Sequence, residues 1–275
     1  MDSSQAGMAV IMSQHMQIYP LPAFNDNYIW CLRPAYLTGL TVVDPGDAEV
    51  VLQHLKSMAL RLEAILVTHH HYDHTDGIER LQQECGSIPV FGPASSPCKS
   101  ITRPLGHSKI VSLMGLTLQI IEVPGHTLDH IAYYSEQEEF LLCGDTLFMA
   151  GCGRIFEGTA AQLHSSLTQL AQLPGTVKVY PTHEYTLANL AFAQTIEPTN
   201  QKIAAVQQTC QELRHTGQAT LPTTIAQELA INPFLRLDIS AVRQRVTNYA
   251  AQHLNIAVKD KISCFAALRQ WKNNF

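Results

Sequence analysis

The chain has 275 residues, 46% hydrophobic and 15% charged, with a net charge of −5 when histidine is neutral. That composition suits a globular enzyme with one large domain or two smaller ones, and the acidic balance argues against nucleic acid as the main partner. Seven cysteines without a CxxC pair, and no apolar run near the ~18 residues of a membrane span, argue against a disulfide framework and a membrane partner.

The expectation is a cytoplasmic protein with reduced thiols. Residues 1–15 carry no Lys or Arg and read as a disordered extension, not a secretory leader. Met16–Pro20 and Tyr28–Leu32 read as short strands around the turn Phe24-Asn25-Asp26-Asn27. Thr41–Val43 is a third strand, ended by Asp44-Pro45-Gly46, so Asp44 sits at a strand end. Asp47 caps a helix with Val50, Val51, Leu55 and Met58 at helical spacing. The apolar run Ala64–Val67 is a buried strand, Ile78–Cys85 a helix and Ile88–Phe91 a short strand. From Lys109 the period falls to two, with Leu116–Val123, Ile131–Tyr134 and Phe140–Cys143 as strands. Thr159 opens a helix that Pro174-Gly175 stops, and Val177–Tyr180 is the last strand expected. Residues 185–275 read as helical.

The densest chemistry is Thr68-His69-His70-His71-Tyr72-Asp73-His74. In an extended segment positions i and i+2 face the same way, so His69 and His71 can converge on one ion. Asp73 and His74, further along the loop, can reach a second ion, while His70 and Tyr72 point elsewhere, into packing. Two imidazoles leave a zinc-type ion short of its usual four ligands. Three strand ends can supply the rest: His126 after Val123-Pro124-Gly125, Asp145 after Leu142-Cys143-Gly144, and His183 after Tyr180-Pro181-Thr182. Seven donors suit two ions joined by one carboxylate. His130, four residues after His126, could touch a ligand from outside. His15, His54, His107, His164, His215 and His253 have no partner spacing.

These motifs resemble the metallo-β-lactamase superfamily and, within it, the hydroxyacylglutathione hydrolases (glyoxalase II). The narrower resemblance rests on Pro22-Ala23-Phe24-Asn25-Asp26-Asn27-Tyr28, on Gly151-Cys152-Gly153-Arg154-Ile155-Phe156-Glu157-Gly158-Thr159, on Thr182-His183-Glu184-Tyr185-Thr186 and on Leu268-Arg269-Gln270-Trp271-Lys272. It implies an α/β (α+β) protein: an αββα sandwich over residues 16–184, then a helical substrate-binding domain over 185–275. It assigns His69, His71 and His126 to one ion, Asp73, His74 and His183 to the other, and Asp145 to the bridge. The ions would be two divalent metals per chain, zinc first, with iron or manganese as alternatives.

The implied reaction is hydrolysis of S-(2-hydroxyacyl)glutathione thioesters, chiefly S-D-lactoylglutathione to D-lactate and glutathione, by a bridging hydroxide that Asp73 orients. Arg154, Phe156, Tyr185, Arg269 and Lys272 would meet the glutathione part. Arg269 and Lys272, three apart on a helix, can clamp a carboxylate. A mononuclear-iron persulfide dioxygenase of the same fold is the alternative, and the expected assembly is a monomer. The chain departs from the family's usual pattern at Asp76 and Asp129, where glycine is common; both carboxylates could contact ligand imidazoles.

Overall fold

A computed structural model describes residues 16–106 and 110–275. The expected disordered stretch 1–15, and with it His15, lies outside the described residues, as does His107.

The first sheet has six strands in sequence order: β1 (Met16–Ala23), β2 (Asn27–Pro34), β3 (Gly39–Val43), β4 (Arg61–Leu66), β5 (Val90–Gly92) and β6 (Arg103–Pro104). The first three pair antiparallel and the last four run parallel. The crossovers carry α1 (Ala48–Met58), the single turn α2 (Tyr72–Thr75) and α3 (Ile78–Cys85). Asp47 caps α1 as expected, accepting from the Glu49 and Val50 amides.

Four strands follow: β7 (Ile110–Leu113), β8 (Leu116–Glu122), β9 (Ile131–Ser135) and β10 (Phe140–Gly144). A small hairpin, β11 (Leu147–Phe148) with β12 (Gly151–Cys152), precedes α4 (Ala160–Leu170) and β13 (Lys178–Pro181). The remainder is α5 (Thr186–Ile196), α6 (Gln201–His215), β14 (Thr223–Thr224), α7 (Ile225–Ile231), α8 (Ser240–Tyr249) and α9 (Lys261–Asn273). The second sheet runs β14-β13-β10-β9-β8-β7. β14 corrects the expectation that no strand follows His183: two threonines pair with Lys178 and Val179, too short a run to show a period.

Alternation assigns the layers. Tyr28, Trp30 and Leu32 face the second sheet, where Ile131, Tyr133, Phe140 and Leu142 meet them. Ile29 and Cys31 face the other way, against Val51, Leu55, Ile78 and Leu81 of α1 and α3. The far face of the second sheet, with Ala132, Leu141, Cys143 and Val179, packs on Leu163, Leu167 and Leu170 of α4 and on Phe192, Phe234, Phe265 and Trp271. Strands buried on both faces explain why the central segments read as apolar runs. The result is the expected αββα sandwich, and the C-terminal helices share a core with its second sheet.

Both sheets end at one edge. β3 stops before Asp44, β4 before the histidine loop, β10 before Asp145 and β13 before His183. Backbone bonds join the sheets there: the Ile131 amide donates to the Thr68 carbonyl at 2.9 Å and the Tyr28 amide to the Thr182 carbonyl at 2.6 Å.

Candidate metal centre

The chain leaves β4, stays extended to His71 and then turns into α2. His69 Nε2 lies 3.1 Å from His71 Nδ1, which lies 3.0 Å from His126 Nε2. Three ring nitrogens therefore face one point. α2 brings Asp73 and His74 to a neighbouring point, where His74 Nε2 and His183 Nε2 lie 3.4 and 3.5 Å from Asp73 Oδ2. Asp145 stands between the two. Its Oδ2 is 3.5 Å from His126 Nε2, and its Oδ1 is 3.6 Å from His74 Nε2 and 3.3 Å from His183 Nε2. One carboxylate oxygen faces each trio, so the geometry brings all seven expected donors together. Within each trio the donor atoms lie no more than 4.8 Å apart.

The donor set fits divalent cations. A single proton can be shared by two imidazoles but not by three aimed at one point, whereas a cation accepts all three lone pairs. His74 is buried, and its Nε2 has no hydrogen-bond partner among the described residues. Burial and the neighbouring His74 and His130 push His69 well below the ordinary imidazole range. Burial opposes charge on Asp145, but His183 and His74 outweigh it and hold the carboxyl well below the usual range. His183 is likewise raised to about 9, against burial, chiefly by Asp145. The pocket thus pairs an anionic Asp145 with His74 and His183, whose affinity for a proton is raised, and with His69, His71 and His126, which favour the neutral form, a set that bound cations would satisfy in place of protons.

The second nitrogen of most ligand rings is also held. His126 Nδ1 donates to the Arg154 carbonyl at 2.8 Å, and His183 Nδ1 lies 2.8 Å from Asp26 Oδ1. His69 Nδ1 is 3.0 Å from Thr68 Oγ1, and His74 Nδ1 is 3.1 Å from Asp44 Oδ2. Asp44 takes a left-handed backbone conformation, φ 54°, and accepts from the Thr68 amide and hydroxyl, both at 2.7 Å. Asn27 Nδ2 donates to Asp73 Oδ2 at 3.0 Å. Gly46 is needed here, because a Cβ on it would fall 2.0 Å from the Asp73 carbonyl oxygen. Asp26 and Asn27 had shown only turn chemistry and a place in the resemblance; nothing in a single sequence ties them to residues so far along the chain.

One expectation is met and two are changed. His130 is a close support of the site: its ring stacks on His69 at 4.6 Å, and its Nε2 accepts from the Asp145 amide at 3.1 Å. Burial drives its pKa down to about 3, which keeps the ring neutral and able to accept. His70 does not go into packing; Nδ1 is 2.9 Å from Asp129 Oδ1 and Nε2 3.2 Å from Glu157 Oε1. Asp129 therefore meets a histidine that is not among the seven donors, and Asp76 is exposed at the end of α2.

The residues expected to meet substrate divide. Phe156, exposed, sets its ring edge-on to His71 and His126, with centroids 5.5 and 5.3 Å away. Tyr185 stacks on His183 at 4.8 Å with planes 5° apart. Arg154 is exposed. Lys272 donates to the Ala188 carbonyl at 3.0 Å, and burial together with Arg269 and Arg154 lowers its pKa to about 8. Arg269 differs from its expected pairing with Lys272. It is only 5% exposed, donates to the Cys152 carbonyl at 2.7 Å and lies over the Phe234 ring. Phe265, Leu268, Arg269 and Lys272 follow the i, i+3, i+4, i+7 stripe of α9, a signal that could have placed Arg269 on the inner face.

The sandwich and its paired His/Asp trios define a metallohydrolase of the metallo-β-lactamase superfamily. A family model for that superfamily matches residues 35–93 and 92–183, and a model described as the hydroxyacylglutathione hydrolase C-terminus matches 184–275. Hydroxyacylglutathione hydrolases of Pseudoalteromonas translucida and Shewanella halifaxensis are each 47% identical to the chain over 94% of its length and 100% of their own. That of Albidiferax ferrireducens is 48% identical with the same coverage. The chain belongs to the hydroxyacylglutathione hydrolase family. Among solved structures, ETHE1 from Myxococcus xanthus superposes with a TM-score of 0.61 at 24% identity, covering 94% of this chain and 98% of that one. The BLEG-1 B3 metallo-beta-lactamase superposes at 0.60 and 23%, covering 80% and 99%. Both show the fold alone. Among the described residues no helix is long and apolar enough to cross a membrane.

Proposed function

We propose that the chain hydrolyses S-(2-hydroxyacyl)glutathione thioesters, S-D-lactoylglutathione first among them, to the 2-hydroxy acid and glutathione. The observation that carries this reading is Asp145, one oxygen toward each trio, in a chain 47% identical to hydroxyacylglutathione hydrolases. His69, His71 and His126 would hold one divalent ion, Asp73, His74 and His183 the other, with Asp145 shared and zinc as the first candidate. Ions bound there would lower the pKa of water toward ~7, supplying hydroxide at neutral pH, and would polarise a carbonyl.

The protein's own part is placement. Asp73, fixed by Asn27, faces the space between the trios and can orient a nucleophile or take its proton. A thiolate leaves readily, so no strong general acid is required. The peptide part of glutathione carries two carboxylates and one ammonium. Arg154 and Lys272 offer it positive charge, and Tyr185 and Phe156 offer ring faces and edges beside the ligand imidazoles. Arg269 would serve the same end through the loop whose carbonyls it binds. In this reading residues 16–184 form the catalytic domain and 185–275 the substrate-binding helices. The agreement of this boundary with the two family matches supports the division.

The test is hydrolysis of S-D-lactoylglutathione by protein of measured metal content, with oxygen consumption followed in parallel on a glutathione persulfide. Two equivalents of metal and thioester cleavage are expected. One iron per chain with oxygen uptake and an intact thioester would replace this reading with the dioxygenase.

A further inference from the structure

His70 lies between two ligand histidines, yet both its ring nitrogens are engaged by carboxylates: Asp129 Oδ1 at 2.9 Å and Glu157 Oε1 at 3.2 Å. The facing atoms of His70, Asp129 and Glu157 lie within 4.8 Å of one another and form a trio. It is a connection between loops. Glu157 belongs to the segment after β12 that carries Arg154 and Phe156. Asp129 belongs to the turn between β8 and β9 that carries His126. Glu157 Oε2 also accepts from the Leu128 amide at 3.0 Å. The Asp129 side chain is 4% exposed, whereas those of His70 and Glu157 are 20% and 37% exposed, so the pair with Asp129 is the better shielded.

The segment it holds has few other ties at its tip. Arg154, Phe156 and Glu157 are all exposed. Apart from the clasp, the tip is held by Ile155, which packs on the core, by the Phe156 ring against His71 and His126, and by its backbone against His126. The Phe156 and Glu157 amides donate to the His126 carbonyl at 3.1 and 3.3 Å, and the Arg154 carbonyl accepts from His126 Nδ1. A shift of the tip would carry Phe156 away from the His71 and His126 rings, and Arg154 with it.

We propose that Asp129, through His70 and Glu157, is a positioning residue that fixes the 154–157 tip over the site and so sets the affinity for the thioester substrate. This rests on the reaction proposed above. Asp129 touches no donor of the metal centre, so its effect should fall on substrate binding and spare the metal.

The experiment uses full-length, metal-loaded protein. Asp129→Ala should raise KM for S-D-lactoylglutathione roughly 5- to 10-fold, the scale of one ordinary hydrogen bond, with kcat and metal content held within about twofold. Asp129→Asn keeps an acceptor for His70 and should return KM to within about twofold of the starting protein. In a Phe156→Ala background the Asp129→Ala change should add less than about twofold, because the two act through one loop. Amide exchange across residues 154–158 should accelerate in Asp129→Ala and not in Asp129→Asn. A loss of metal with kcat, or an unchanged KM with unchanged exchange, would overturn the proposal. If the starting protein leaves the thioester intact, the assigned reaction fails, and the exchange measurement still decides whether the clasp holds the loop.

Discussion

The sheet edge and the C-terminal helices contribute to the site by different routes. The edge supplies all seven donors: His69, His71, His126 and Asp145 on loops that leave strand ends or join strands, Asp73 and His74 on the single turn α2, and His183 just after β13. The helices supply no donor. They hold the β11–β12 hairpin and the loop after it by buried polar side chains. Asn232 Nδ2 donates to the Gly151 carbonyl at 2.9 Å, Asn189 Nδ2 to the Met149 carbonyl at 3.1 Å, and Arg269 to the Cys152 carbonyl. Glu228 accepts from the Ala150 amide at 2.8 Å. Since the Arg154 carbonyl orients His126, the helices reach the metal centre through the hydrogen bond to Cys152, two residues of backbone and a second hydrogen bond to His126. One region performs chemistry with exposed lone pairs; the other removes freedom from a loop.

Substitutions in the two regions should therefore fail differently. At the edge, His183→Ala should lower thioester hydrolysis by roughly 10³-fold with little change in Tm, as steady-state kinetics and a melting curve would show. Asp26→Ala leaves every donor in place but frees the His183 ring; metal affinity should fall about 10- to 100-fold, measured by competition with a chelating dye. Equal affinity would show that the contact to Asp26 is incidental. Among the helices, Arg269→Ala leaves the Cys152 carbonyl without its donor and should cost roughly 1–3 kcal/mol of stability. Denaturant unfolding would read it, and a change in KM without a change in stability would return Arg269 to direct substrate contact.

Lys272 tests whether the helices also touch substrate. Lys272→Ala should raise KM about 10-fold with kcat unchanged, the mark of uniform binding. Because burial and the nearby arginines lower its pKa to about 8, its charge is present below that pH and lost above it. KM should climb from pH 7 to 9, and Lys272→Arg should flatten the climb.

A purely pH-dependent effect belongs to Glu228, whose carboxyl is raised to about 7 by burial, against the pull of Thr223, Asn232 and the Ala150 amide. A folded pKa above the unfolded one means that the native state binds the extra proton between about 4.5 and 7. The stabilisation is complete below the unfolded value and is lost as pH rises through about 7, by up to about 3 kcal/mol. Glu228→Gln can keep the contacts without titrating, so its Tm should vary less between pH 5 and 8; an identical slope would remove Glu228 from the account.

The same contrast governs what could be read in the sequence. His69 and His71 were legible because extended backbone repeats every two residues, and His126, Asp145 and His183 because each follows an apolar run and a Gly or Pro that ends it. The helix capped by Thr159 was legible from local chemistry, and its capping box with Gln162 is present. The supports were not. His70 meets Asp129 59 positions away, and Asp26 meets His183 157 positions away, distances at which one sequence carries no pairing signal. Arg269 read as one arm of a carboxylate clamp with Lys272; the fold instead buries it against the Cys152 carbonyl.

Asp145 is the residue on which the assignment depends, and metal stoichiometry tests it most directly. Chelated wild-type protein and Asp145→Ala should be titrated with zinc and assayed for thioester hydrolysis on the same samples. The shared carboxylate predicts two equivalents and full activity for the wild type, and fewer than two with little activity for the variant. Two tightly held ions in Asp145→Ala would contradict a bridge at this position.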